Sequence, residues 1–302
     1  MEQIEQLEII CKRYDCQLLR NEPLSKHTTF RIGGCCTAFI DINCVDVLLE
    51  LLNYCNDNNL KWTVLGNGSN VLVSDEGYDG VVFSLGKQFA NIEFLDDCKI
   101  RCDAGVYLMT VAKSVLEESL SGMECLAGIP GTVGGALYMN AGAYGGEMAD
   151  VVISAEYIDE DGKLKTVFKE DMDLSYRHSI FSGTKRIITG LTLQLRDGKY
   201  DAIKTEMDGY LNQRRAKQPL ELPSAGSTFK RPVGSYASFL IDQCGLKGAS
   251  VGDAQVSVKH AGFVVNTGKA TCKDVLELCE FVIETVEEKT GYKLELEPVL
   301  LK

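Results

Sequence analysis

The sequence predicts an α+β protein. Helix-like and strand-like segments are mixed without the regular strand–helix–strand rhythm of a doubly wound sheet. The 302 residues, 45% hydrophobic and 25% charged, suffice for two or three domains with full cores. No uninterrupted apolar run approaches the roughly 18 to 20 residues that span a bilayer.

Residues 1–14 and 45–57 (VDVLLELLNYCND) place apolar side chains at helical spacing. KWTVLG reads as a strand running into GNGSN, VLVS as a short strand after it, and GVVFSL as another. IEFLDDCKIRCDAG is a hairpin with a polar turn, and YLMTVAKSVLEESL is a helix. VVISAEYIDEDGKLKTVF is a second hairpin, turned at Asp161-Gly162, and RIITGLTLQL is a strand. DAIKTEMDGYLNQRRAKQ is a helix stopped before Pro219. PLELPSAGSTFKRP is an irregular loop, SFLIDQCGLKG a short helix with a glycine stop, and QVSVKHAGFVVN a strand region. A long amphipathic helix begins near Thr271 and ends at Gly291, and KLELEPVLL is a final strand.

The formal net charge is −12, which argues against non-specific binding to nucleic acid or an anionic membrane. A few local cations and backbone N–H groups can still bind a small anion. The N-terminal stretch lacks the basic region and apolar core of a signal peptide, so the expected location is cytoplasmic. The twelve cysteines form no Cys-x-x-Cys pair and no zinc spacing; they are expected to be reduced and mostly buried. His27, His178 and His260 are far apart, and no metal site is expected.

Two stretches are rich in glycine: GNGSN at 66–70, and the twenty-one residues 126–146, LAGIPGTVGGALYMNAGAYGG, which contain seven glycines. GNGSN can turn tightly and aim successive N–H groups at one spot, an anion nest. In GIPGTVGG, Pro130 and Gly131 make a turn, Gly134 and Gly135 admit close approach of a ligand, and a short helix follows whose N-terminus favours negative charge. Two such cradles suit a pyrophosphate. Neither is the G-x-G-x-x-G of nicotinamide-binding folds. Tight loops with packing glycines are the other reading of the same residues.

Six motifs, in order, resemble one family: HTTFRIGG (27–34), LGNGSNVLVSDEGYDGVV (65–82), GMECLAGIPGTVGGALYMNAGAYGGE (122–147), YRHSIF (176–181), PSAGSTFKRP (223–232) and GDAQVSVKHAGFVVN (252–266). Together they are similar to the UDP-N-acetylenolpyruvoylglucosamine reductases from about residue 21 onward. The resemblance implies the FAD-binding fold of the p-cresol methylhydroxylase/vanillyl-alcohol oxidase type, with a C-terminal α+β substrate domain. It implies subdomains at 1–80 and 81–200 that hold FAD, the first completed by the strand 293–302, and a substrate domain at 201–292. It implies non-covalent FAD, NADPH as co-substrate, UDP-N-acetylglucosamine enolpyruvate as substrate, and UDP-N-acetylmuramate for peptidoglycan as product. A monomer is the expected state. The short path from YRHSIF to RRAKQP fits the family's shorter subtype, which lacks an inserted Tyr loop.

By the same resemblance, FAD is held by Gly66, Asn67, Gly68, Ser69 and Asn70 and by Ile129, Pro130, Gly131, Thr132, Gly134 and Gly135, with Asn140, Ala141, Gly142 and Tyr144 continuing the wall. Arg31 and Gly33 are expected close by. The family's intermediate-stabilising Arg falls on Arg177, its proton-donating Ser on Ser227 and its carboxylate on Glu297, with Glu295 the alternative two residues away. The family commonly has Glu-Val-Arg where this chain has Glu297-Pro298-Val299, and Pro298 marks an edge or strand end. Tyr176, Lys217 and Arg231 are expected at the substrate; some relatives have Asn at the position of Arg231. Read alone, Arg177 fits an ion pair with Asp171 or Asp173, Ser227 a turn hydroxyl, Glu297 a solvated strand residue, and the basic run Arg214, Arg215, Lys217 a helix C-terminus. An FAD-dependent alcohol oxidase or dehydrogenase of this fold, or a non-enzymatic flavin or UDP-sugar sensor, would leave YRHSIF and SAGSTFKRP unexplained.

Overall fold

The computed structural model describes residues 2–302. The expected N-terminal helix is Glu2–Arg13; Met1 lies outside the described residues. The chain forms two compact units that interleave in sequence. One comprises the chain up to Leu19, Ala38–Asn67 and Gly80–Arg214; the other comprises Arg20–Thr37, Gly68–Asp79 and Arg215–Lys302. The boundaries expected at 80, 200 and 292 describe contiguous stretches, whereas each compact unit draws on three separate segments.

The first unit is built on a five-stranded antiparallel sheet in the order Leu164–Phe168, Val152–Ile158, Ile187–Gln194, Lys99–Asp103, Ile92–Phe94. Both expected hairpins lie in it. At the turn of the second, Asp159 Oδ1 accepts from the N–H groups of Asp161 (3.0 Å) and Lys163 (2.8 Å), and Gly162 takes φ +76°. The helices Val45–Asp57 and Leu108–Glu117 bury the apolar stripes that their spacing announced, Val47, Leu48, Leu51, Leu52 and Val111, Ala112, Val115, Leu116. Trp62–Leu65 pairs in parallel with the end of Tyr78–Ser84. Leu18–Pro23, Cys35–Asp41, Tyr78–Ser84 and Trp62–Leu65 form a four-stranded sheet in that order, and the first two carry too little alternation to be read from the sequence.

The second unit has its own core, including Phe30, Ile32, Leu72, Phe229, Ile241, Val264, Leu278, Val282 and Leu294. Its helix Cys272–Thr290 starts in a capping box, Thr271 Oγ1 accepting from Asp274 N (3.0 Å) and Asp274 Oδ2 from Thr271 N (2.9 Å). Asp75, nearly two hundred residues away in sequence, accepts from the next two N–H groups, Cys272 (2.8 Å) and Lys273 (3.0 Å). Gly291 ends the helix at φ +75°. The region 255–266 is not one strand: Ala254–Val256 and Val264–Asn266 pair antiparallel around a turn. The expected strand KLELEPVLL is confined to Val299–Leu301, because Pro298 has no N–H for a ladder; those three residues pair in parallel with Val71–Val73.

All twelve cysteines are free thiols. Burial pushes Cys11, Cys55, Cys102 and Cys279 up to about 12 from the ordinary 9.0. Their protonated, buried sulfurs are poor nucleophiles, while Cys35 is exposed. An aromatic disulfide reagent at pH 8 is therefore expected to modify Cys35 quickly and these four only on unfolding. Equal rates for all twelve would contradict the burial. As pH rises past about 9, the unfolded chain ionises first. Stability holds below that pH and falls as it climbs toward 12.

Candidate active site

In the first unit the two glycine-rich stretches meet. Asn67 Nδ2 donates to Pro130 O at 2.6 Å, and a Cβ on Gly66 would come within 2.6 Å of Thr132 Oγ1. Glycine at 66 is thus dictated by contact with the second stretch. The sequence reading of GIPGTVGG as an open row of N–H donors needs correction. Gly131 N donates to Ile129 O, Val133 N to Val106 O, and Gly134 N to Ala104 O. Gly135 N donates to the Thr132 hydroxyl, which caps the helix Val133–Tyr138. Gly134 packs on Ala104, since a Cβ there would lie 2.7 Å from the Ala104 Cβ. Gly135 is different: it is exposed, and a Cβ would meet only Thr132 Oγ1 at 3.4 Å. Packing does not require glycine there.

Beyond the helix, Ala141 N bonds Ala136 O, and Gly142 pairs with Glu147. Tyr144, at φ +55°, stacks on Tyr210 with centroids 4.9 Å apart. Asn140, expected in the cofactor wall, is 1% exposed, and both ends of its side-chain amide bond to protein: Nδ2 to Ser175 O (3.1 Å), Oδ1 from Ala149 N (3.0 Å). Arg177 and Tyr176 form the tip of a four-residue turn closed by Ser175 N to His178 O (3.2 Å) and His178 N to Ser175 O (3.1 Å). Arg177 takes φ +56°, rare for a residue with a long side chain, and its Cζ lies 4.9 Å from the centre of the Tyr176 ring. Asp173, one of the acids weighed against it, has His178 Nε2 3.1 Å from its Oδ2. Strained backbone at Arg177, Tyr144 and Asn140 marks a neighbourhood that the surrounding fold holds in place.

In the second unit four motifs converge. Thr29 N donates to Gly68 O (3.2 Å), and the Thr29 hydroxyl donates to Ser224 O (2.7 Å). Gly68 takes φ +58°, and a Cβ there would fall 2.3 Å from His27 O, so only glycine lets the two loops approach. Among the described residues no acceptor takes the N–H groups of Gly68, Ser69 or Asn70. The buried hydroxyl of Thr28 beside them also has no partner there. A row of uncommitted donors and an orphaned buried hydroxyl is what a phosphate-bearing ligand would satisfy.

The SAGST loop and the C-terminal segment form a short antiparallel contact. Lys230 N donates to Glu295 O (2.8 Å), Glu297 N donates to Thr228 O (3.0 Å), and Phe229 faces Leu296 between them. Glu297 therefore has its backbone beside the residue next to Ser227, and both are half-buried. Asn70 Nδ2 holds the Glu297 carbonyl (3.3 Å). Glu295 is exposed and meets Lys230 Nζ at 3.4 Å. In this contact Glu297 lies opposite Thr228, the residue after Ser227, and Glu295 lies opposite Lys230. Lys217 ends the helix Tyr200–Lys217, and the Arg231 guanidinium lies 4.6 Å over the Tyr236 ring. Sequence reasoning missed Thr28 and Thr29; the doubled threonine of HTTF beside a glycine-rich motif was the available signal. Arg214, from the basic run named in the sequence, is half-buried: its Cδ would lie 3.0 Å from a Cβ on Gly128, and burial pushes it down from the usual guanidinium range.

A model described as an FAD binding domain matches residues 37–167, and one described as the C-terminal domain of UDP-N-acetylenolpyruvoylglucosamine reductase matches 218–301. A reductase of that name from Clostridium novyi is 46% identical over 94% of this chain and 92% of its own length. One from Agathobacter rectalis is 48% identical over 93% and 92%. The crystal structure of UDP-N-acetylenolpyruvylglucosamine reductase from Thermus caldophilus superposes with a TM-score of 0.81 at 34% identity, covering 95% of this chain and 99% of that one. Among the described residues no helix is long and apolar enough to cross a membrane and no acid, His or Cys cluster could hold a metal. The motifs, the two matched domains and whole-length similarity agree, and the chain belongs to the UDP-N-acetylenolpyruvoylglucosamine reductase family.

Proposed function

We propose that this protein reduces the enolpyruvyl ether of UDP-N-acetylglucosamine enolpyruvate to the lactyl ether, giving UDP-N-acetylmuramate, with FAD as cofactor and NADPH as reductant. The observation that carries the proposal is the short antiparallel contact in the second unit that puts Glu297 N on Thr228 O, next in sequence to Ser227, with Asn70 Nδ2 on the Glu297 carbonyl. FAD, when bound, takes two electrons from NADPH and delivers them as a hydride. Gly66 to Asn70, Ile129 to Gly135 and the Ala141–Tyr144 segment would hold it. The bare face of Gly135 and the uncommitted N–H groups of Gly68, Ser69 and Asn70 fit that role.

The chain's own task is charge and proton control. Hydride addition to the terminal CH₂ carbon drives an electron pair onto the neighbouring carbon and into the carboxylate. The Arg177 guanidinium neutralises the carboxylate as its charge grows. The Ser227 hydroxyl protonates the carbon, and Glu297 stabilises the developing enolate. A serine is a weak acid, but the carbanion it meets is far more basic, so placement governs the step. Tyr176 and Lys217 bind the sugar nucleotide, and Arg231 binds its pyrophosphate through a two-pronged guanidinium contact. Replacing Arg231 with Ala is expected to raise the substrate KM about tenfold with little change in kcat; an unchanged KM removes Arg231 from the substrate.

The test is an anaerobic flavin titration. Bleaching of the visible band by NADPH, followed by recovery on adding the enolpyruvyl sugar nucleotide, is the expected result. Bleaching without recovery, with fast reoxidation by oxygen, would point to an oxidase of the same fold. A protein that takes up no FAD would overturn the cofactor assignment.

A further inference from the structure

We infer that Asn140 is a positioning residue for Arg177, its side-chain amide clamping the turn that carries the guanidinium. This rests on the role proposed above for Arg177. Ser175 is the first residue of the turn 175–178, and its carbonyl accepts twice, from His178 N (3.1 Å) and from Asn140 Nδ2 (3.1 Å). Both lone pairs are thereby filled. The other end of the Asn140 amide is fixed by Ala149 N (3.0 Å), so the donor cannot swing away. The side chain is 1% exposed, where an unpaired amide is costly and the pairing is correspondingly firm.

The downstream side of the turn is tied to the same corner of the chain. Ser179 Oγ and Ser182 Oγ both donate to Tyr138 O, at 2.8 and 3.1 Å, and Tyr138 OH accepts from Gly183 N at 2.9 Å. Tyr138 and Asn140 thus grip the loop on both sides of Arg177. Arg177 needs the grip, because φ +56° is disfavoured for any residue with a Cβ. A relaxed turn would return Arg177 to an ordinary conformation and swing the guanidinium off its target. The corner follows directly on the helix Val133–Tyr138, so the segment capped at Thr132 sets the height of the arginine turn. Asparagine suits the position twice over: it donates and accepts with one planar group, and it tolerates its own φ of +39°.

Asn140→Asp keeps the acceptor for Ala149 N and removes the donor to Ser175 O. In the full-length holoenzyme it is expected to slow flavin reoxidation by the sugar nucleotide on the order of 10²-fold, the scale of a small misplacement at a reacting centre. Flavin reduction by NADPH and the FAD Kd of the apoprotein should stay within about twofold. In an Arg177→Ala background the same change should add less than about twofold, because the two act as one unit. Asn140→Ser, which removes the donor without adding charge, is made alongside and carries the same expected pattern if the Asp variant does not fold. A raised FAD Kd with unchanged reoxidation would return Asn140 to the cofactor wall and overturn the inference. So would both half-reactions falling together with the melting temperature, or full additivity with Arg177→Ala. A normal reoxidation rate in Arg177→Ala alone would sink the role of Arg177 and this inference with it, whereas additivity sinks the inference alone.

Discussion

Ser227→Ala is expected to leave flavin reduction by NADPH intact and to slow flavin reoxidation by the sugar nucleotide by roughly 10²- to 10⁴-fold, the usual contribution of a positioned proton donor. The asymmetry is the informative part. A hydroxyl that served only the loop would affect both half-reactions through a shared loss of order. The loop has its own supports, with Thr228 N bonded to Gly262 O (2.8 Å), the Thr228 hydroxyl accepting from Val264 N (2.8 Å), and Ser224 O taking the Thr29 hydroxyl. None of these passes through Ser227 Oγ. Rapid-mixing traces of the two half-reactions decide the matter; a parallel fall in both would make Ser227 structural.

Arg177→Ala is expected to lower the rate of the same half-reaction by about 10²- to 10³-fold, the scale of losing one preorganised donor to a developing anion. Arg177→Lys should recover only part of this. An ammonium restores charge but not the planar fork that meets a carboxylate with two parallel bonds. Substrate affinity should change less than the rate, because the carboxylate carries one charge in the ground state and approaches two in the transition state. Product binding measured by equilibrium titration separates the terms. A loss confined to affinity would make Arg177 a ground-state anchor.

The local features of the fold were written locally. Thr271 and Gly291 bracket a helix because a hydroxyl and a bare backbone at those positions settle its two ends. Asp161-Gly162 marked a hairpin for the same reason. The candidate site residues came from motifs, and the roles proposed for Arg177 and Ser227 came through the family likeness rather than from spacing. What stayed hidden was set by partners remote in sequence. Whether Gly131 to Gly135 offer donors depended on Val106, Ala104 and Thr132. Which of Glu295 and Glu297 lies opposite Thr228 depends on a contact between loops far apart in sequence, and the Glu297 carbonyl is held by an amide 227 residues away at Asn70. The partner of Asn140, Ser175, lies thirty-five positions downstream and could not be read from the motif.

The interleaving of the second unit also has a consequence during synthesis. The strand Val71–Val73 and the carboxylate of Asp75 emerge from the ribosome early, yet their partners, Val299–Leu301 and the start of the helix at Cys272, come last. The 135 residues between Asp79 and Arg215 lie in the other unit. At translation speeds of about 5–20 residues per second, that interval alone lasts on the order of ten seconds. The first unit can condense meanwhile, leaving Arg20–Thr37 and Gly68–Asp79 as loops without their lining. The second core, and with it the contact between Thr228 and Glu297, is completed only after the segment from Cys272 to Leu301 has been made.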